Sequence, residues 1–311
     1  MQAKKYLWTA GALVVALGVY AAAGQPRLFV LSLLNGLTLA ALYFLVASGF
    51  SLIFGLMRNV NLAHGSLFLL GGYVGYSAGA MSGSWVIALL AGFLFTAVLG
   101  AAMQVFIFSR MEGQDLRQTL VTVGLSIVLG DLAMWIWGGD TYQFDVPQWM
   151  QTPVPFPLIG AYSAFRLIVL GAAVVIGLLL WAFLNRTVIG AMIRAGVDDK
   201  AMLAASGVNV KLIFVLTFAV GAGLAGMAGV VGGSALSLSP GEDVRYLLAS
   251  LVVVIIGGMG SISGAAVGAV LIGLAETFGL AYAPTYGVVF TFVIMIVVLA
   301  FRPQGLLGKP N

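Results

Sequence analysis

Long apolar runs separated by short polar turns organise this chain from end to end. Stretches of membrane-crossing character lie at 6–23, 28–50, 60–81, 85–108, 119–138, 167–184, 212–237, 246–257, 262–280 and 285–301. A helix needs about 20 apolar residues to cross a hydrocarbon core roughly 30 Å thick, so 246–257 is too short to cross alone and reads as re-entrant. The pattern predicts an all-α, polytopic transmembrane helical bundle with broken or re-entrant helices. It forms a single transmembrane domain over 1–311, because no soluble domain fits between the runs. The run 6–23 follows Lys4 and Lys5 and ends in Ala21-Ala22-Ala23, which also resembles a secretory signal. We expect a retained first helix.

Glycine breaks the apolar pattern twice in a similar way. Phe54-Gly-Leu-Met-Arg-Asn-Val-Asn-Leu-Ala-His-Gly65 lies between the second and third spans. Ile256-Gly-Gly-Met-Gly-Ser-Ile-Ser-Gly264 lies between the eighth and ninth. Paired interruptions in two halves suggest an inverted repeat with broken helices beside a transport path. Gly71, Gly75 and Gly79, and Gly221, Ala225 and Gly229, recur at the spacing that lets membrane helices approach closely.

Composition agrees. Charged residues make up 8% of the chain and hydrophobic ones 61%, whereas soluble domains carry roughly 25% charged residues. There is no cysteine and only one histidine, which excludes disulfides and histidine-cluster metal sites. The net charge of +4 reports orientation and contact with membrane lipid, not nucleic-acid binding. With Lys4 and Lys5 inside and the spans alternating, Arg58, Arg110, Arg117, Arg186, Arg194, Lys200, Lys211, Arg302 and Lys309 also fall inside. Only Arg27, Arg166 and Arg245 fall outside. The positive-inside rule then puts both termini in the cytoplasm. The longest outside loop, 139–166, is rich in proline and aromatic residues, and its prolines forbid a regular helix through 153–157.

Between two spans, residues 186–211 carry four basic residues and a short helix signal. Asp198 is expected to cap it, Asp199 to favour its positive end, and Gly207 to close it in the left-handed conformation. The helix would show Ala201, Met202, Leu203, Ala204 and Ala205 outside the bilayer. It is either a connector lying on its own bundle or an element seeking a partner groove. Inside the spans, Asp131 and Glu276 are candidates to line a path or to sit hydrated near an interface. Asn35, Thr38, Asn59, Asn61 and His64 form a second polar set. His64 reads either as a hydrogen-bonded core residue or as a pH sensor. No basic residue is expected deep in any span. Phosphate-loop, His-Glu-x-x-His and Gly-x-Ser-x-Gly motifs are all absent, so no enzyme is expected and any ATP use belongs to another chain.

Several segments are similar to one family. Asn35-Gly-Leu-Thr-Leu-Ala-Ala-Leu-Tyr-Phe-Leu-Val-Ala-Ser-Gly-Phe-Ser-Leu-Ile-Phe-Gly55 resembles the second span of the H-type (LivH-like) permease of branched-chain amino-acid ABC importers. Asn61-Leu-Ala-His-Gly65 resembles that family's Asn-Phe-Ala-His-Gly, and Ile256-Gly-Gly-Met-Gly-Ser261 resembles its Gly-Gly-Leu-Gly-Ser. The loop Asp198–Lys211 and the following Leu216–Gly229 resemble its coupling loop and next helix. Ser66, Ser263 and Asp131 depart from the family pattern. The resemblance implies a permease of the bacterial cytoplasmic (inner) membrane working by alternating access. It implies a paralogous second, LivM-like permease, two cytoplasmic ATPase subunits and an extracytoplasmic solute-binding protein, with no cofactor in this chain and ATP used by the partners. Relatives import branched-chain amino acids, urea, short amides or aromatic acids. The implied ATPase-coupling residues are Asp198, Asp199, Ala201, Met202, Leu203, Ala204 and Gly207. The expected path runs by Asn35, Asn61, His64, Gly65, Asp131, Gly257, Gly258, Gly260 and Glu276. An ion- or proton-coupled secondary transporter is the alternative, with Asp131 or Glu276 as the coupling carboxylate.

Overall fold

The computed structural model describes residues 24–57 and 60–308. The expected first span at 6–23 and the polar residue Asn59 lie outside them. Among these described residues twelve α-helices follow one another: α1 (Pro26–Met57), α2 (His64–Ser82), α3 (Trp85–Phe106), α4 (Asp115–Trp137), α5 (Gln148–Gln151), α6 (Ala164–Arg186), α7 (Val188–Asp198), α8 (Lys200–Ala205), α9 (Val210–Leu236), α10 (Glu242–Gly257), α11 (Ile262–Tyr282) and α12 (Gly287–Phe301). Six of them, α1, α3, α4, α6, α9 and α11, are long and apolar enough to cross a membrane. A short antiparallel hairpin, β1 (Pro153–Phe156) with β2 (Gly160–Ser163), sets Pro153 opposite Ser163 and Phe156 opposite Gly160. The prolines that exclude a helix there are accommodated in this two-stranded ribbon, which the sequence pattern does not reveal.

The helices form an inner and an outer layer. The most apolar windows of α1 and α9 are 83% and 72% buried within the chain, whereas those of α4 and α6 are 17% buried. Small residues decide which helices go inside. A Cβ on Gly71 of α2 would overlap the backbone of Gly226 in α9, so these two helices meet backbone to backbone. Helices α3, α4, α6 and α12 carry most of the exposed large apolar side chains, which suit lipid or another membrane chain.

α1 continues to Met57, beyond the expected end at 50, because Ser51–Met57 stays apolar and unbroken by proline. It is 32 residues long, roughly 48 Å at 1.5 Å per residue, more than a bilayer core requires. The segment between α4 and α6 folds back onto the bundle. Tyr142 exchanges two backbone hydrogen bonds of 2.8 Å with Leu238. Its ring packs edge-on to Tyr73 and against Tyr76. Phe144 likewise meets Tyr76 edge-on, so the aromatic residues of this segment pack against α2.

Candidate functional site

The expected polar site separates into four places. The first is the start of α2. His64 is fully buried, and its Nε2 stands 3.1 Å from the Val46 carbonyl of α1. A carbonyl only accepts, so Nε2 carries the proton, while Nδ1 has no partner among the described residues. Phe50 meets the ring edge-on at 5.4 Å between centroids. Val46 lies eleven residues before Met57, about 16 Å along the helix, so α2 begins deep in the bundle. Buried irregular backbone requires partners. Asn61 Oδ1 accepts from the Ala63 amide at 3.1 Å. α4 supplies the rest: the Leu62 amide donates to Thr122 Oγ1 at 3.1 Å, and Ser66 Oγ lies 3.0 Å from Ser126 Oγ. His64 in this structure is the hydrogen-bonded core residue of the two readings.

The start of α10 meets the start of α2. A Cβ on Gly65 would overlap the Asp243 carbonyl and lie 2.9 Å from Leu247 Cβ. α2 starts buried at His64 and Gly65, while the first turn of α10 is partly exposed. Their positive helix ends converge, and Glu242 and Asp243 in the first turn of α10 offset that charge. Gly65 faces the start of α10, just after the break at 237–241, while Gly55, at the other end of 54–65, rests against Gly260 of the glycine loop.

That glycine loop is a packing device. A Cβ on Gly257 would overlap Gly264, and Gly258, at φ 110°, abuts Gly308. The Leu306 and Leu307 amides donate to the Ile256 and Gly257 carbonyls at 2.8 and 2.9 Å. Gly260 is exposed but rests against Gly55 of α1. Close packing, not an open lining, is the role of Gly257 and Gly258 in this structure.

The two carboxylates also part company. Asp131 lies on an exposed face of α4. Glu276 accepts a 2.7 Å hydrogen bond from the Tyr43 hydroxyl and stands 4.0 Å from Arg245, which also pairs with Glu242 at 3.5 Å. Arg245 therefore belongs to α10 and bridges it to α11, contrary to its expected place in a loop. The span read as 246–257 stops one residue short of it, and the Glu242–Arg245 spacing is the signal that extends the helix. Asn35 belongs to a third group: its Oδ1 accepts from the Tyr162 hydroxyl at 3.0 Å and from Arg166. Neither partner is visible from local sequence, because both lie more than 120 residues away.

The fourth place is the α7–α8 segment. The sequence foresees one helix capped by Asp198, but the structure has two. Asp198 ends α7, and Asp199 caps α8, its Oδ1 accepting from the Ala201 and Met202 amides at 2.8 and 3.0 Å. Gly207 adopts φ 80° just past the end, as expected. Leu203 does not face outward: it is 6% exposed, and a Cβ on Gly196 of α7 would touch it at 3.2 Å. Ala201, Ala204 and Ala205 are exposed, and Met202 is 69% exposed.

Residues 32–299 match the family model described as branched-chain amino acid transport system / permease component. The high-affinity branched-chain amino acid transport system permease protein BraD of Pseudomonas aeruginosa is 31% identical over 297 residues, covering 90% of this chain and 95% of that protein. The corresponding permease protein LivH of Salmonella typhimurium is 28% identical over 307 residues, covering 91% and 96%. A solved structure, PsaBC from Streptococcus pneumoniae in complex with Fab, overlays with a TM-score of 0.49 at 14% identity, covering 92% of this chain and 93% of that one.

Proposed function

This chain belongs to the family of branched-chain amino acid transport system permease components, and from that membership we propose that it is the membrane subunit of an ATP-driven importer for branched-chain amino acids or related small polar solutes. It carries out no chemistry itself and needs no cofactor. Two cytoplasmic ATPase subunits, a paralogous permease and an extracytoplasmic solute-binding protein complete the machine, in the cytoplasmic membrane with both termini inside. Alternating access opens a path beside the starts of α2 and α10, near Gly65 and Asp243.

The observation that carries the reading is α8. It is a six-residue helix outside the long spans, and it turns apolar side chains outward while Leu203 ties it to the bundle. An exposed Met flanked by alanines is a low-cost contact for a groove on a partner. Leu203 links any pull on α8 to α7, against Gly196, and to α1, where Leu56 borders the same glycine. Met202→Asp puts an unpaired charge in the partner contact and leaves Leu203 in place. In the reconstituted complex, ATP-driven uptake should fall at least about tenfold with normal membrane insertion. Wild-type coupling of hydrolysis to uptake in that variant removes α8 from the ATPase contact. Uptake abolished by an uncoupler but indifferent to ATP depletion points to the secondary-transporter alternative.

A further inference from the structure

The end of the bundle that carries the β1–β2 hairpin holds a cavity of about 440 Å³ between α1, α6, α9 and the segment before β1. That volume falls in the usual range for small-molecule sites, roughly 300–1,000 Å³. Leu31, Val146 and Phe165 supply apolar wall, Asn35 and Ser234 polar wall, and Arg166 the only charge among the lining residues. Arg166 is set in place by one bond, from its guanidinium to Asn35 Oδ1, and that oxygen is also held by Tyr162. Tyr162 in turn lies 3.1 Å from Thr38 Oγ1, so the group is braced from α1 at two levels. No carboxylate stands within 4.0 Å of the guanidinium among the described residues. A guanidinium has five N–H donors, and this one spends a single described bond on protein. Arg166 also lies in the first turn of α6, where the helix dipole disfavours a cation and the terminal amides lack a side-chain cap. Both effects are relieved by an anion in the cavity.

We propose that this cavity is a binding site for a small carboxylate with an aliphatic tail, the carboxylate held by Arg166 beside Asn35 and the tail against Leu31, Val146 and Phe165. Resting on the importer reading, the ligand is the α-carboxylate end of the transported amino acid, caught where it enters from the external side. The planar, bidentate fork of arginine suits a carboxylate better than a neutral amide, and the absence of an acidic lining residue gives an isolated amine nothing to pair with.

The test is calorimetric binding to the full chain in lipid nanodiscs, with leucine, 4-methylpentanoate and 3-methylbutylamine as probes. Leucine and 4-methylpentanoate should bind and the amine should not. Arg166→Gln should weaken both at least about tenfold. Asn35→Asp, nearly isosteric, places a carboxylate beside the cation and should weaken them similarly, which keeps the test open if Arg166→Gln does not fold. Equal binding of all three probes, no binding of either carboxylate, or wild-type affinity in a folded variant overturns the site. Leucine uptake by the complete importer is measured in parallel. Uptake without carboxylate binding by this chain defeats the site alone, and carboxylate binding without leucine uptake defeats the substrate assignment alone.

Discussion

Two helices of this molecule begin under opposite conditions. α2 starts at His64, fully buried, where water cannot satisfy the backbone. α8 starts at Lys200, exposed, one residue after its own capping carboxylate. The exposed start is satisfied locally: Asp199 reaches the amides two and three residues on. The buried start has a local partner in Asn61, which accepts from the Ala63 amide, and draws the others from Thr122 and Ser126 of α4, sixty residues away in sequence, and from Val46 of α1. A buried unmade hydrogen bond carries the full desolvation cost, whereas an exposed one is remade with water. The first kind of helix start is fixed by its surroundings and the second is free to engage something new.

The largest effect that tests this contrast is at Gly65. Valine there must displace the Asp243 carbonyl and the Leu247 side chain, which ties the starts of α2 and α10 together. We expect a cost of about 3 kcal/mol or more, seen as loss of monodisperse protein in size-exclusion chromatography after detergent extraction. If Gly65→Val melts like the wild type, the two helix starts are not in backbone contact. Thr122→Val comes next. It keeps the volume and removes the oxygen that receives the Leu62 amide. Thermal unfolding should register about 1–3 kcal/mol. A change indistinguishable from zero would mean that water reaches this break, and its burial would need revision.

The same contrast explains which parts of the molecule sequence reasoning reaches. Spans and a helical bundle follow from apolar run length alone, since a membrane admits few alternatives. Gly207 and the existence of a helix between 198 and 207 follow from local rules. The cap is displaced by one residue because Asp198 and Asp199 are equally good cap residues, and only the extent of α7 decides between them. Leu203 is misread because a six-residue helix shows no periodicity from which to assign an inner face. The pairing of Glu276 with Tyr43, of Asn35 with Arg166, and of Gly65 with Asp243 arises from the packing of distant helices, which no local pattern encodes. The glycine loop 257–260 misleads for a related reason. Glycine serves close packing and cavity lining equally well, and only the neighbours Gly264 and Gly308 tell them apart.

The smallest predicted effects sharpen the exposed side of the comparison. Asp199→Ala removes the acceptor for the Ala201 and Met202 amides and should cost α8 about 1 kcal/mol. That corresponds to roughly fivefold faster hydrogen exchange at those amides, with global melting unchanged because α8 is a separate short turn. Asp198→Ala, one residue earlier, leaves the cap in place, since residue 198 already belongs to α7. Its effect on the same amides should stay within about 0.5 kcal/mol. The two variants differ only in which of two adjacent aspartates is lost, so composition, net charge and propensity are matched. Equal acceleration by both, or a larger effect from Asp198, would move the start of α8 back by one residue and merge it with the end of α7. Leu203 would then rotate relative to Gly196, and the outward face assigned to Met202 would have to be reassigned with it.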